Sequence, residues 1–156
     1  MGDRPERDRQ LDALYVASRE GVTVDRQAAF DAARLQRALD AVRADMRATG
    51  LTGEITLVRP DWAARNAVVE TWAGDQGWTA GIFPADAADD LSALVAVAEQ
   101  ARQAIMESLD YQYTGLVWPA CPAHGLGSSP TAHHGRGVWW CEAGDGHVAA
   151  EIGRWA

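Results

Sequence analysis

Both cysteines and all four histidines of this chain lie within one stretch, Gly115 to Ile152. A chain that gathers its soft and borderline ligands so tightly is constrained to bring several of them together in space. The stretch has two similar halves. Val117-Trp118 leads into Cys121-Pro122-Ala123-His124-Gly125, and Val138-Trp139-Trp140 leads into Cys141, with His147 following. Each half is a β-branched and aromatic run that delivers a cysteine, then a turn, then a histidine. A strand presenting a thiolate and a turn returning a second ligand is how a zinc ribbon is built, because Zn²⁺ takes thiolate sulfur and neutral imidazole nitrogen in tetrahedral sites. The pattern predicts a zinc-binding β-ribbon with Cys121, His124, Cys141 and His147 as ligands.

The spacing supports three of these ligands more directly than the fourth. Cys121 and His124 have the C-x2-H interval of a knuckle, with Pro122 stiffening the turn and Gly125 free to adopt positive φ. Cys141 to His147 is a longer C-x5-H interval, through the turn formers Glu142-Ala143-Gly144-Asp145-Gly146. His133 and His134, in the connecting loop, are the alternatives to His147. A Cys121–Cys141 disulfide, a metal-free ribbon and a catalytic thiol are competing readings. The charged N-terminal run Met1-Gly2-Asp3-Arg4-Pro5-Glu6-Arg7 has no apolar segment of a secretory leader, which favours a reducing compartment and metal over disulfide.

The run Trp118-Pro119-Ala120-Cys121-Pro122-Ala123-His124, then Gly137-Val138-Trp139-Trp140-Cys141 and Ala150-Glu151-Ile152-Gly153, resembles the C-terminal module of small uncharacterised actinobacterial proteins. Such modules more often follow the first histidine with a His-Pro pair, where this chain has Gly125-Leu126-Gly127-Ser128-Ser129. The resemblance implies a ribbon and carries no activity with it.

The composition bounds the partners. All fourteen basic residues are arginine, and the formal charge of −8 disfavours phosphate-rich nucleic acid while leaving basic protein partners open. No apolar run reaches the ~20 residues that span a bilayer. The expectation is a cytoplasmic protein without a membrane anchor.

In chain order, residues 1–7 read as a disordered charged tail and Asp8–Glu20 as a first helix. A second helix follows, with Ala28, Ala32, Leu35, Leu39, Val42 and Met46 along its seam. Asp31, Arg34, Arg37, Asp40 and Arg43 take its other face. Thr23 or Asp25 is positioned to cap this helix and Gly50 to end it. The two helices form a hairpin, and the narrow, alanine-rich stripe admits self-association as well as core packing. The period then changes to two, predicting strands Glu54–Val58, Ala67–Trp72 and Gly77–Phe83, with Trp72 and Trp78 pairing across the hairpin turn. Trp62 joins them in the alternative of an aromatic ligand groove. After Pro84 a long helix starts near Asp86, with Leu91, Leu94, Val95, Ala98, Arg102, Ile105, Met106 and Leu109 as its buried face.

The fold class is therefore α+β: a helical hairpin, a three-stranded antiparallel sheet and a covering helix over residues 8–110, followed by a zinc-ribbon-like β element over 111–156 packed on it. No H-E-x-x-H, deaminase pair, G-x-S-x-G elbow, Walker loop or dinucleotide fingerprint occurs. The leading expectation is a non-catalytic protein-binding or adaptor protein with a structural zinc, in which at least one of Trp118, Trp139 and Trp140, the candidate partner contacts, packs on the Leu91–Leu109 helix or stands exposed to a partner. The alternatives are a nucleic-acid or transcription-associated ribbon, and a small zinc hydrolase if the metal keeps an open position.

Overall fold

The computed structural model describes residues 31–58, 67–73, 76–82, 84–107 and 114–156. Within them lie helix α1 (Ala32–Ala48), strands β1 (Glu54–Val58), β2 (Ala67–Ala73) and β3 (Gln76–Ile82), and a 3₁₀ turn (Pro84–Ala87). Helix α2 (Asp90–Glu107) and strands β4 (Ser128–His133), β5 (Arg136–Cys141) and β6 (His147–Glu151) complete the order. The architecture is α+β, with two three-stranded antiparallel sheets ordered β1-β2-β3 and β4-β5-β6. The first helix read from the sequence, Ala28, Thr23, Asp25, Trp62 and Leu109 all fall outside the described residues.

Helix α1 begins one turn later than its apolar spacing suggested. Asp31 has extended backbone angles and its carboxylate accepts the Arg34 N–H at 3.0 Å, so it is the N-cap rather than a residue of the exposed face. At the other end Gly50 takes φ 78°, while the Gly50 and Leu51 N–H groups donate to the carbonyls of Arg47 (3.1 Å) and Met46 (2.9 Å). Those two bonds are the pair of a Schellman stop, which satisfies carbonyls the helix itself cannot. Leu35, Ala38, Leu39, Val42, Asp45 and Met46 face inward.

The first sheet follows the predicted strands, but its register corrects one expectation. Trp72 sits opposite Gly77 and Trp78 opposite Thr71, so the two tryptophans are not cross-strand partners. Closing the hairpin at Ala73↔Gln76 shifts β3 by one residue from the predicted span.

Helix α2 packs against α1, β2, β3, β4 and β5, and so holds the two sheets and the other helix together. Asp89 caps it, its carboxylate accepting the Ser92 N–H at 2.8 Å. The fully buried face is Ala93, Val97, Ala98, Ala101, Ala104 and Ile105. Leu91, Leu94, Val95 and Met106, which the spacing assigned to the buried face, are only half-buried. Periodicity weights large side chains, whereas a helix covered on several sides can be most deeply buried where its residues are small enough for close approach. Arg102 lies half-buried at the helix edge with a two-pronged pair to Glu99 (3.1 and 3.0 Å).

One apolar cluster spans the helices and both sheets. It joins Leu39, Val42 and Met46 to Val97 and Ile105, to Ile55 and Ile82, and to Trp118, Trp139 and Ile152 from the C-terminal segment. No described helix is long and apolar enough to cross a membrane.

Candidate metal centre

The C-terminal segment is held from below by two indoles and a carboxylate. Trp118 and Trp139 are 3% and 0% exposed and meet edge to face at 5.3 Å. Trp118 Nε1 donates to Thr49 Oγ1 (2.8 Å) at the end of α1. Trp139 Nε1 donates to Asp45 Oδ2 (2.7 Å), a carboxylate with no solvent exposure. Asp45 also accepts the Gly153 N–H on Oδ2 (2.8 Å) and the Trp155 N–H on Oδ1 (2.9 Å). Three donors converge on one carboxyl group, which is how a buried polar group is made tolerable.

Burial leaves Trp118 and Trp139 no surface to offer a partner, and they take the other place the sequence allowed them, packed in one cluster with α2. Both belong to the shared core, because the ribbon has no separate interior and uses its indoles to join the helices. Trp140, the third residue of that set, is half-buried beside His133 (ring centroids 5.0 Å apart).

The loop carrying Cys121 and His124 is not a strand-led half. Val117 and Trp118 lie outside any strand, and a single bridge, Ala120↔Gly127, pairs the two sides of the loop. Between them the chain turns sharply. The Cys121 N–H donates to the Leu126 carbonyl (2.7 Å), and the His124 and Gly125 N–H groups donate back to the Cys121 carbonyl (3.3 and 2.7 Å). Gly125 sits at φ 68°, the left-handed conformation its lack of a Cβ allows. The result aims Cys121 and His124 the same way.

Cys141 and His147 are brought together by the second sheet. They are register partners, Cys141 at the end of β5 and His147 at the start of β6. His147 is thus a strand residue rather than a turn residue. The Ala143–Gly146 turn that precedes it closes with a 3.1 Å bond, and Gly146 (φ 79°) lies so close to Trp140 that a Cβ there would be 2.5 Å from its Cζ2.

These elements bring the four predicted side chains into one cluster. The ligand atoms of Cys121, His124, Cys141 and His147 all lie within 4.8 Å of one another. Cys121 Sγ is 3.6 Å from His124 Nδ1 and 3.3 Å from His147 Nε2, and Cys141 Sγ is 3.7 Å from His124 Nδ1. A tetrahedral ion with metal–sulfur and metal–nitrogen bonds of about 2.3 and 2.0–2.1 Å has S···N edges of about 3.6 Å. The donor set therefore fits a metal ion in both chemistry and spacing. Both sulfurs are buried, His147 is half-buried, and His124 faces solvent.

The electrostatics agree. Burial pushes the Cys121 thiol up, but hydrogen bonds from the His124 ring, the Ala123 backbone and the His147 ring outweigh it and bring the thiol down from 9.0 to about 6. Ser128, the β4 register partner of Cys141, has a fully buried hydroxyl with no hydrogen-bond partner among the described residues. A donor left over beside Cys141 suits a neighbourhood that carries negative charge on sulfur. Neither Ser128 nor Asp45 stood out in the sequence, one in a Gly-Ser-Ser run and the other among charges of an amphipathic helix.

His133 and His134 do not join the cluster. Ser128–His133, read as a connecting loop, is strand β4, and His134-Gly135 is the two-residue turn into β5. Positive φ at both (49° and 75°) is the signature of a type I′ hairpin. The turn lies at the opposite end of the β4–β5 ladder from Ser128 and Cys141. There the two rings pack against each other, centroids 4.1 Å apart.

No protein-family model, curated protein or solved structure matches the chain.

Proposed function

We propose that Cys121, His124, Cys141 and His147 hold one zinc ion in a closed, structural site, and that the protein works by binding another protein rather than by catalysis. The observation carrying this reading is the donor set itself: two sulfurs and two imidazole nitrogens at the spacing of a tetrahedron, which leaves no vacancy for a substrate water. Thiolate and imidazole together select zinc over the hard, oxygen-seeking ions. Bound zinc would cross-link the Cys121 knuckle to the β5–β6 edge. The chain's own residues do the rest, since Gly125, the Ala143–Gly146 turn and the β5–β6 register orient the ligands.

The remaining readings find less support. A hydrolase needs an open coordination position. A nucleic-acid ribbon needs unpaired basic residues, yet Arg136 and Arg154 both lie beside Glu151, at 3.6 and 4.0 Å. The net charge of −8 acts in the same direction.

Elemental analysis of protein purified without added metal tests the site, with close to one zinc per chain as the expected result. Chelation is expected to lower the melting temperature without exposing any hydrolytic activity. A metal-free preparation with both thiols titratable and the fold unchanged would overturn the site. Ester, phosphoester or peptide hydrolysis that disappears on chelation would overturn the structural role.

A further inference from the structure

Among the described residues, Ser128 is the one whose buried side-chain polar atom the fold leaves unpaired. The residue is 1% exposed, and its Oγ finds no hydrogen-bond partner. Burying a hydroxyl without a partner costs free energy, so a position that only filled space would be served as well by alanine. Ser129, the next residue, faces solvent, where a hydroxyl needs no such explanation.

The sheet register sets that hydroxyl against Cys141, its partner on β5. The Ser128 N–H donates away from β5, to the Pro119 carbonyl (2.9 Å). On the far side of β5 the Gly137 carbonyl accepts the Ile152 N–H (3.0 Å), so Gly137, and Cys141 four positions on, turn their backbone groups away from β4. Both observations make Ser128↔Cys141 a non-hydrogen-bonded pair, the kind in which opposite side chains stand closest. Cβ atoms paired across a sheet are about 4.5–5.5 Å apart. From there a staggered rotamer of serine can carry Oγ to the opposite sulfur.

The two sulfurs of the cluster are supported differently. Cys121 receives hydrogen bonds from the backbone of its own knuckle, at Ala123 and His124. Cys141 sits in a ladder with its N–H turned toward β6, and the one hydrogen-bond contact of its sulfur among the described residues is His124 Nδ1 at 3.7 Å. We propose that Ser128 is a positioning residue of the metal centre, its hydroxyl donating to the Cys141 thiolate when zinc is bound. The bond would fix the direction of the sulfur and draw charge from it, as groups behind metal ligands do. The inference rests on the four-ligand reading of the site and names the group that supports its second sulfur.

Two measurements on the full-length chain test this: chelator competition for zinc affinity, and the Co²⁺–thiolate charge-transfer band of cobalt-substituted protein. Ser128→Ala is expected to weaken zinc binding by roughly 10–100-fold. It is also expected to move the cobalt band to longer wavelength, because a thiolate that has lost a hydrogen bond gives up charge to the metal more readily. Ser128→Thr and Ser128→Val are alike in shape and differ in the hydroxyl, so the band should keep its native position in the first and shift in the second. Ser129→Ala should change neither reading. A merely structural Ser128 would alter affinity without moving the band. An unmoved band in Ser128→Ala, unchanged zinc affinity, or Thr and Val variants with the same spectrum would overturn the proposal. If the native chain takes up one zinc and Ser128→Ala matches it in both readings, the role of Ser128 fails while the metal site stands. A native chain that takes up neither zinc nor cobalt would overturn both.

Discussion

Replacing Asp45 should damage the protein more than any other single change of an acidic residue among those described. Its carboxylate is wholly buried and takes Trp139 Nε1, Gly153 N–H and Trp155 N–H at 2.7, 2.8 and 2.9 Å. Hydrogen bonds to a charged group contribute roughly 1.5–3 kcal/mol each, against a desolvation cost of several kcal/mol for the carboxylate itself. Asp45→Ala removes the anion and that cost, but it orphans the indole N–H and leaves a void. The net loss should be about 3–5 kcal/mol, in line with breaking other buried charge networks. For a chain of this size that corresponds to a fall in melting temperature on the order of 10 °C. Asp45→Asn is the sharper probe. Its carbonyl oxygen can keep the two bonds on the Oδ2 side, but its NH₂ then faces the Trp155 N–H, so the loss should be about 1–3 kcal/mol. Urea unfolding of the zinc-loaded protein, followed by tryptophan fluorescence, measures both. An Asn variant as stable as the native protein, or an Ala variant costing under about 1 kcal/mol, would refute the account of Asp45 as the anchor between α1 and the second sheet.

Three further outcomes follow from the site. His147→Ala should weaken zinc retention by more than the roughly 10–100-fold typical of losing an outer-shell partner, while His133→Ala and His134→Ala leave it unchanged; chelator competition reads this, and a damaging His134→Ala would mean the hairpin folds over the metal. Gly146→Ala combines left-handed strain with a Cβ driven into Trp140, so it should cost about 2–4 kcal/mol and misalign His147, read by urea unfolding and zinc content together. Acidification acts on Cys121 in the metal-free protein. Because its thiol is lowered from 9.0 to about 6, the stability from that shift is fully present above its ordinary value and is lost as pH falls through about 6. Zinc uptake should therefore hold near neutrality and fail below about pH 6, and a midpoint near 9 would contradict the hydrogen bonds assigned to His124 and His147.

The candidate ligand cluster was legible because ligand chemistry is scarce: two cysteines and four histidines in one stretch leave few ways to bring four ligands together. The first sheet was legible from its period-two runs. Strand β4 was not, because Ser128-Ser129-Pro130-Thr131 reads as a loop, and a proline is tolerated there only because the strand is an edge with the missing N–H facing outward. The depth of burial along α2 escaped periodicity because its most enclosed residues are mainly alanines. Asp45 escaped because an acid on an amphipathic helix reads as solvent-facing, and its three donors lie about a hundred residues away, at Trp139, Gly153 and Trp155. Local pattern reports which side chains prefer water, not which of them the chain will later surround with donors.

The same long-range contacts couple the candidate metal site to the core. Trp139 stands two positions before Cys141 on β5. Its indole is bonded to Asp45, whereas Cys141 meets His147 and His124. One strand therefore carries the core anchor and a candidate metal ligand within a few ångströms of rise. Gly153 and Trp155 return to the same carboxylate just after β6, the strand that begins with His147. Each of the two strands that supply ligands is thus tied to α1 at one point and to the cluster at another. Metal binding to such a sheet shares its free energy with the packing of the helices, because a strand displaced at either tie moves its ligand. Chelation should accordingly loosen the Trp139–Asp45 contact as well as the knuckle. The measurable sign is a change in tryptophan emission that follows zinc loss with the same midpoint, whereas separate midpoints would show that the metal and the core act independently.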